Sequence, residues 1–375
     1  GGKVILDTAR DWAYYTDHVP NRSLGSTLDA MAGAAVGDVL SAGSESLILR
    51  LDMSTQPGSA ALELQPHTLE GLGLAQIRQS SSRHRIIGRS DAPGARDDST
   101  GRWVVFGGLH GHRGRQDGTG AKPDRYDLEG GGIMAGAART LGRRLQAGFF
   151  LDYSRETEDF RRSGKLTDDI FRFGPCARWT AGETELIATL SMGIHDIESK
   201  RKVSLLGETN HAGYEMHDYL ATLFLAHPFH WRNLALVPYL EGAYLNQKND
   251  SYREQGGVSA LRVSGTRGEF LATTLGLDVS RPIPLGGTVL TPRLGVGWWH
   301  QYLDRSDKTK ASFRGDPGFA FQTAALETDD DLLRLNAALH LNLRQGLFVN
   351  LDWEHFHSSS LRDSHLLAFS LGLTF

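Results

Sequence analysis

The chain of 375 residues is 40 % hydrophobic and 22 % charged and has a net charge of -4. This balance excludes collagen-like and wholly disordered chains, and it offers no basic surplus for nucleic acid. Mean hydropathy is -0.32, and no run approaches the ~18 apolar residues of a membrane helix. Strands that alternate lipid-facing and lumen-facing residues escape that test, because the two faces average out. Forty-four glycines and the single Cys176 fit an envelope β-protein without an internal disulfide. The sequence starts at Gly1 without Met and shows no secretion signal, so the expectation is the C-terminal piece of a longer precursor.

Residues 1–23 read as a strand-like remnant, with Val4 and Leu6 apolar, followed by a turn. In 24–53, Leu28, Met31, Ala35, Val39, Leu47 and Leu51 recur at helical spacing, weakened by Gly33, Gly37 and Gly43. Pro57 and Gly58 break the pattern. A better-marked helix is predicted over 66–89, opening at Pro66 and carrying Leu69, Leu72, Ile77, Ile86 and Ile87. It holds Arg78, Arg83, Arg85 and Arg89. Ser90–Gly101 is a polar linker. The expected division is a remnant and linker over 1–65, a helix and linker over 66–101, and a β-domain over 102–375.

From Trp103 the chain becomes a series of alternating segments separated by turns. Strands are expected near 103–113, 123–138, 143–155, 165–180, 183–200, 212–226, 234–249, 266–281, 287–303, 330–343, 346–357 and 363–375. Each is near or above the ~10 residues that a tilted membrane strand needs. In Leu333–Leu343 the leucines share one face, while Arg334, Asn336, His340 and Asn342 share the other. Burying these polar groups in a dry sandwich would be costly, and a hydrated lumen removes that cost. The same alternation turns Asp152, Glu241, Asp278, Asp352 and Glu354 inward. Connections alternate between short turns and longer polar loops, the latter near 114–122, 156–164, 201–211, 250–265 and 304–329. That asymmetry marks an outer-membrane barrel, with the turns on the periplasmic side. An even strand number brings Trp103 and Phe375 to the same end, as closure requires. The final strand places Leu367, Phe369, Leu371, Leu373 and Phe375 on one apolar face. As a soluble edge it would be an aggregation hazard, and it resembles the C-terminal strand of Gram-negative outer-membrane proteins.

Several stretches resemble the autotransporter translocator domain of type V secretion. Leu236–Gly256 is similar to the family's Pro-Tyr strand followed by Tyr-x-Glu-x-Gly, here Tyr252, Glu254 and Gly256. Gly297–Asp304 resembles its Trp-x-His-Glu strand through Trp298 and His300, with Gln301 where Glu is usual. Ala311–Phe321 and the last strand follow in the family's order and spacing. The resemblance implies an all-β fold: a twelve-stranded antiparallel transmembrane β-barrel with an N-terminal α-helix plugging the lumen. It implies a monomer in the outer membrane that anchors an upstream passenger and helps export it. The implied partners are outer-membrane lipid, its own passenger and the barrel-assembly machinery, which reads Phe369, Leu371, Leu373 and Phe375. The arginines of 66–89 are expected to pair with inward carboxylates, and helix 24–53 remains a rival plug. A passive porin and a soluble β-rich adhesin fragment are the alternatives.

Other chemistry is weakly supported. Gly130, Gly132 and Ala135 fit a loose dinucleotide pattern, but they sit within a strand, where small inward residues explain them better. His355, His357, Asp363 and His365 flank a loop; alternation turns His355 outward beside Trp353, as in an interfacial belt. His110 and His112 read as ordinary strand positions. Neither G-x-S-x-G nor HExxH occurs, and no catalysis, metal or cofactor is expected. The only asparagine before the barrel is Asn21, outside both helices, so no asparagine-driven cleavage in the pore is expected.

Overall fold

A computed structural model describes residues 26–28, 30–31, 63–67, 70–88, 102–116, 126–306, 308–323, 329–343 and 346–375. Twelve long strands form its wall: β1 (Trp103–Gln116), β2 (Tyr126–Leu141), β3 (Leu145–Phe160) and β4 (Gly164–Ala181). Next come β5 (Thr184–Val203), β6 (Glu208–Ala226), β7 (Leu234–Asn249) and β8 (Arg267–Ser280). The last four are β9 (Thr288–Ser306), β10 (Asp331–Asn342), β11 (Leu347–His357) and β12 (Leu361–Thr374). Every neighbouring pair is antiparallel, and β12 pairs with β1 from Val104↔Thr374 to Gln116↔Leu361. Trp103 N–H donates to Phe375 O and Phe375 N–H to Trp103 O, both at 3.0 Å. The sheet is therefore a closed antiparallel barrel without a free edge.

Alternation sorts the two faces. On β10, Leu333, Leu335 and Leu339 are exposed on the outside, whereas Arg334, Asn336, His340 and Asn342 are buried inside. Aromatic side chains concentrate at both ends of the outer apolar band. Trp103, Trp179, Trp231 and Phe375 lie at the turn end; Tyr153, Tyr219, Tyr244, Tyr302 and Trp353 lie toward the loops. Two such girdles are what a bilayer-spanning barrel carries. No described helix is long and apolar enough to cross a membrane.

Three features depart from the sequence reading. First, the helix α1 spans Glu70–Gly88, later than the expected start at Pro66. Its approach is held outside the helix by His67, which stacks on Phe160 and lies within hydrogen-bond reach of Ser163 O and Ser199 Oγ. Second, the polar stretches 156–164 and 201–211 are not long loops. β3, β4, β5 and β6 run on and close through the short connections 161–163 and 204–207. In these extensions both faces are largely polar, which sequence patterning reads as loop, although the ladder continues. Third, the segments expected as long loops near 250–265 and 304–329 build a small second sheet. Tyr252–Arg253, Leu261–Val263, Thr309–Phe313 and Ala320–Thr323 pair into it. This cap sheet turns Tyr252, Leu261, Val263, Ala311, Phe313 and Phe321 inward, where they join Tyr126, Phe160, Tyr214, Leu28, Met31 and Leu64 in one buried cluster.

The expected remnant 1–23, most of helix 24–53, Asn21, Arg89 and the linker 90–101 lie outside the described residues, as does the side chain of Arg85.

Candidate functional site: the filled lumen

Helix α1 fills the barrel. Its sequence carries no single apolar stripe, because the lumen surrounds it on every side and each wall sector asks for different chemistry. At its start Leu72 and Ala75 join the cap cluster. In its middle Leu74 and Ile77 pack with Leu245, Phe270 and Trp299. At its end Ile86 and Ile87 meet Val104, Phe106, Phe150 and Phe348. The helix thus enters at the loop end and leaves at the turn end. Gly73 permits this fit: a Cβ there would lie 2.9 Å from the Phe270 ring and 2.8 Å from Gln247 Oε1.

Polar side chains fix its rotation. Arg83 Nε donates to Asp152 Oδ2 at 2.7 Å, and His110 Nε2 meets the other carboxylate oxygen at 3.0 Å. Gln79 Nε2 donates to Glu156 Oε1 at 3.0 Å, and His112 Nε2 lies 2.6 Å from Oε2. Gln76 Oε1 accepts from both Arg83 and Arg172, at 3.1 and 3.3 Å. Arg172 grips Asp218 with two bonds of 2.7 and 2.5 Å, and His195 joins Asp218 to Asp168. On the opposite wall His84 reaches Glu241 at 3.3 Å and also meets Thr222. All these groups are buried except His112, which is half-buried. Desolvated charges are costly unless paired, and removing one member of such a pair typically costs about 3–5 kcal/mol.

The sequence-expected inward residues Asp152, Glu241, Asp278, Arg334, Asp352 and Glu354 are all buried within the lumen. Their pairing is different from the expectation. Of the helix arginines with described side chains, Arg83 bonds a wall carboxylate, whereas Arg78 lies over the Trp299 ring, 5.9 Å from its centroid. Glu241 and Glu354 flank the wall's own Arg334 at 2.6 and 3.0 Å. Asp278 takes Arg293 at 3.1 Å and Asn336 at 3.1 Å. The inward phase was legible from alternation; which residues meet across the lumen depends on the helix's rotation, which was not.

His110 and His112 are not ordinary strand positions, since both enter the helix-facing network. They sit opposite Gly132 and Gly130 of β2. A Cβ on Gly132 would lie 2.7 Å from Ser154 Cβ and 2.8 Å from His110 Nε2. The glycines make room for this network, while Ala135 faces outward, unlike the inward position expected. Bulky polar residues opposite glycines were the available signal, visible only once strand register is known. Also missed was a clamp at the loop-end mouth. Arg201 makes two bonds to Glu254, of 2.8 and 2.5 Å, and donates to Glu63 O at 2.7 Å. Glu254 belongs to the Tyr-x-Glu-x-Gly element, so that motif tethers the chain entering the pore.

On the outside, Phe369, Leu371, Leu373 and Phe375 are exposed along β12. Trp298 Nε1 and His300 Nδ1 both bond Asp331, at 2.7 and 2.8 Å. Trp353 and His355 stack with their rings 3° apart, and His365 stands 4.7 Å from His355. These rings line the outer surface as a belt.

A closed wall with an apolar exterior and a lumen threaded by its own N-terminal helix defines an outer-membrane translocator barrel. The family model for the autotransporter β-domain matches residues 105–354, and the chain belongs to that family. It is an outer-membrane translocator for a linked passenger domain. Among solved structures, it is similar to the translocator domain of NalP from Neisseria meningitidis. The TM-score is 0.61 at 16 % identity over 80 % of this chain and 98 % of that one. The β-domain of the Bordetella autotransporter BrkA gives 0.55 at 16 % identity, over 73 % of this chain and 100 % of that one. The transport unit of AIDA-I from Escherichia coli gives 0.50 at 12 % identity, over 82 % and 98 %. At these identities the likeness speaks for the fold. No curated protein matches in sequence.

Proposed function

We propose that the barrel anchors its passenger at the cell surface and that α1 stays behind as a stopper bonded to the wall. The division is then 1–65 as passenger remnant and linker, 66–101 as pore helix and linker, and 102–375 as barrel. The observation that carries this reading is the path of the chain. Residues 63–67 sit at the loop-end mouth, clamped by Arg201 and Ser163, and α1 descends from there to the turn end. Leu28 and Met31, which precede residue 63, lie in the cap cluster at that same loop end, the side on which a passenger is displayed. In this scheme the exposed face of β12, with Phe369, Leu371, Leu373 and Phe375, engages the barrel-assembly machinery. The wall then closes Trp103 against Phe375 and the barrel sits in the outer membrane as a monomer. The passenger passes through or beside the lumen and folds outside. The domain itself performs no catalysis: its buried carboxylates and histidines are engaged in holding helix and wall together.

Planar-bilayer recording tests the stopper. The refolded full chain is expected to pass little current, and a version beginning near Asp91 a much larger one. Equal large currents would favour an open porin instead. Failure of both forms to insert would favour a soluble β-protein.

A further inference from the structure

One sector of the outer wall carries cations that its own fold leaves unbalanced. Along β6, β7 and β8 the last apolar cross-strand row is Ala221, Tyr244 and Leu271. Tyr219, Asn246 and Glu269 form the next cross-strand row, in which Asn246 donates to Glu269 at 3.2 Å. The row beyond it sets His217 opposite Lys248 and Lys248 opposite Arg267, all three exposed. Like charges directly opposite each other on neighbouring strands are destabilising. The arrangement recurs on the cap sheet, where Arg253 stands opposite Arg262 with Lys310 beside them. These three line an open groove of about 910 Å³ between the cap's outer face and the top of β6, together with Glu215 and Asp250.

Among the described residues, no carboxylate pairs with Lys248, Arg267, Arg253, Arg262 or Lys310. Two other rim cations are matched, Arg115 with Asp127 at 2.9 Å and Arg155 with Asp169 at 3.6 Å. Lys165 and Lys200 also oppose each other, but six residues beyond the Lys248 row, on the strand extensions. We infer that this sector binds the phosphates of an anionic lipid head group in the leaflet on the loop side. Depth supports a lipid source. Lys248 lies four residues beyond Tyr244, about 14 Å along the strand at ~3.4 Å per residue. With a strand tilt of ~45° this is about 10 Å above the aromatic girdle, within the head-group layer. Cations held there are drawn to anionic lipid, and a bridging phosphate would relieve both like-charge rows.

The test uses the full chain refolded in a neutral detergent and mixed with diphosphoryl lipid A. Lipid phosphorus retained per barrel is measured after gel filtration. Wild type is expected to retain the lipid and to ignore its dephosphorylated form. Lys248→Gln with Arg267→Gln should retain roughly thirtyfold less, and Arg253→Gln with Arg262→Gln should also retain less. Arg115→Gln with Arg155→Gln, whose cations are already paired with Asp127 and Asp169, should match wild type. Gel mobility of the unheated barrel verifies folding of each variant. Equal retention by wild type and the Lys248/Arg267 variant would overturn the proposal. So would displacement of the lipid by an equal concentration of inorganic phosphate, which would identify a site for free anions.

Discussion

Arg83 is the clearest test of how single residues hold the stopper. Its guanidinium touches Asp152 and Gln76, and truncation leaves a buried carboxylate with His110 alone. Arg83→Ala is expected to destabilise the seated helix by about 3–5 kcal/mol. The measurement is the frequency of open-channel events, which should rise; an unchanged trace would show that the apolar ends of α1 suffice. His67 gives the site a pH dependence. Burial lowers its pKa from 6.5 to about 4, and the neighbouring Arg201 adds to the effect. The unfolded segment therefore binds a proton more readily than the clamped one across this interval. Clamping is at full strength above pH 6.5 and weakens until pH falls to about 4. A shift of this size corresponds to about 3 kcal/mol. Protease sensitivity of the segment before α1 should rise with acid over that window, and His67→Phe, which keeps a ring against Phe160, should flatten the profile.

At the level of elements, α1 shows how local preference yields to fit. Gly73 is a poor helix residue, and alanine would gain about 1 kcal/mol in propensity. The Phe270 ring, 2.9 Å from the added carbon, is itself buried in the lumen and has little room to retreat. Overpacking of this kind costs about 1–3 kcal/mol. Gly73→Ala is accordingly expected to loosen the stopper, read as higher conductance with unchanged barrel folding. Strand faces were readable from the sequence because alternation has a period of two, as Leu333–Leu343 illustrates. Strand ends were not: Glu156, Glu158, Arg201 and Lys202 look like loop because polar residues occupy both faces once the wall rises beyond its apolar band. The cap sheet escaped for a related reason. Its strands are of two to five residues, too short for a period to register.

For the molecule as a whole, the bilayer is the solvent that makes the exterior sensible. Leu351 lies outward in the middle of β11, between Leu339 and Phe369. Leu351→Arg should destabilise the inserted barrel by about 2–4 kcal/mol, measured by urea unfolding in lipid vesicles. An equal effect in detergent and in lipid would argue against a lipid-facing position.

Wall and cap differ in what each needs before it can form. The wall is completed by pairing among its own strands, whereas the cap's core includes Leu28, Met31 and Leu64, which precede the pore helix. Without those three side chains the core shared with Phe313 and Phe321 would be incomplete. In the proposed export scheme the lid sets last, once the trailing end of the exported chain has come to rest in the doorway, and its closure records that export is over. A version beginning near Asp91 should be cut by protease within 309–323, where the full chain resists.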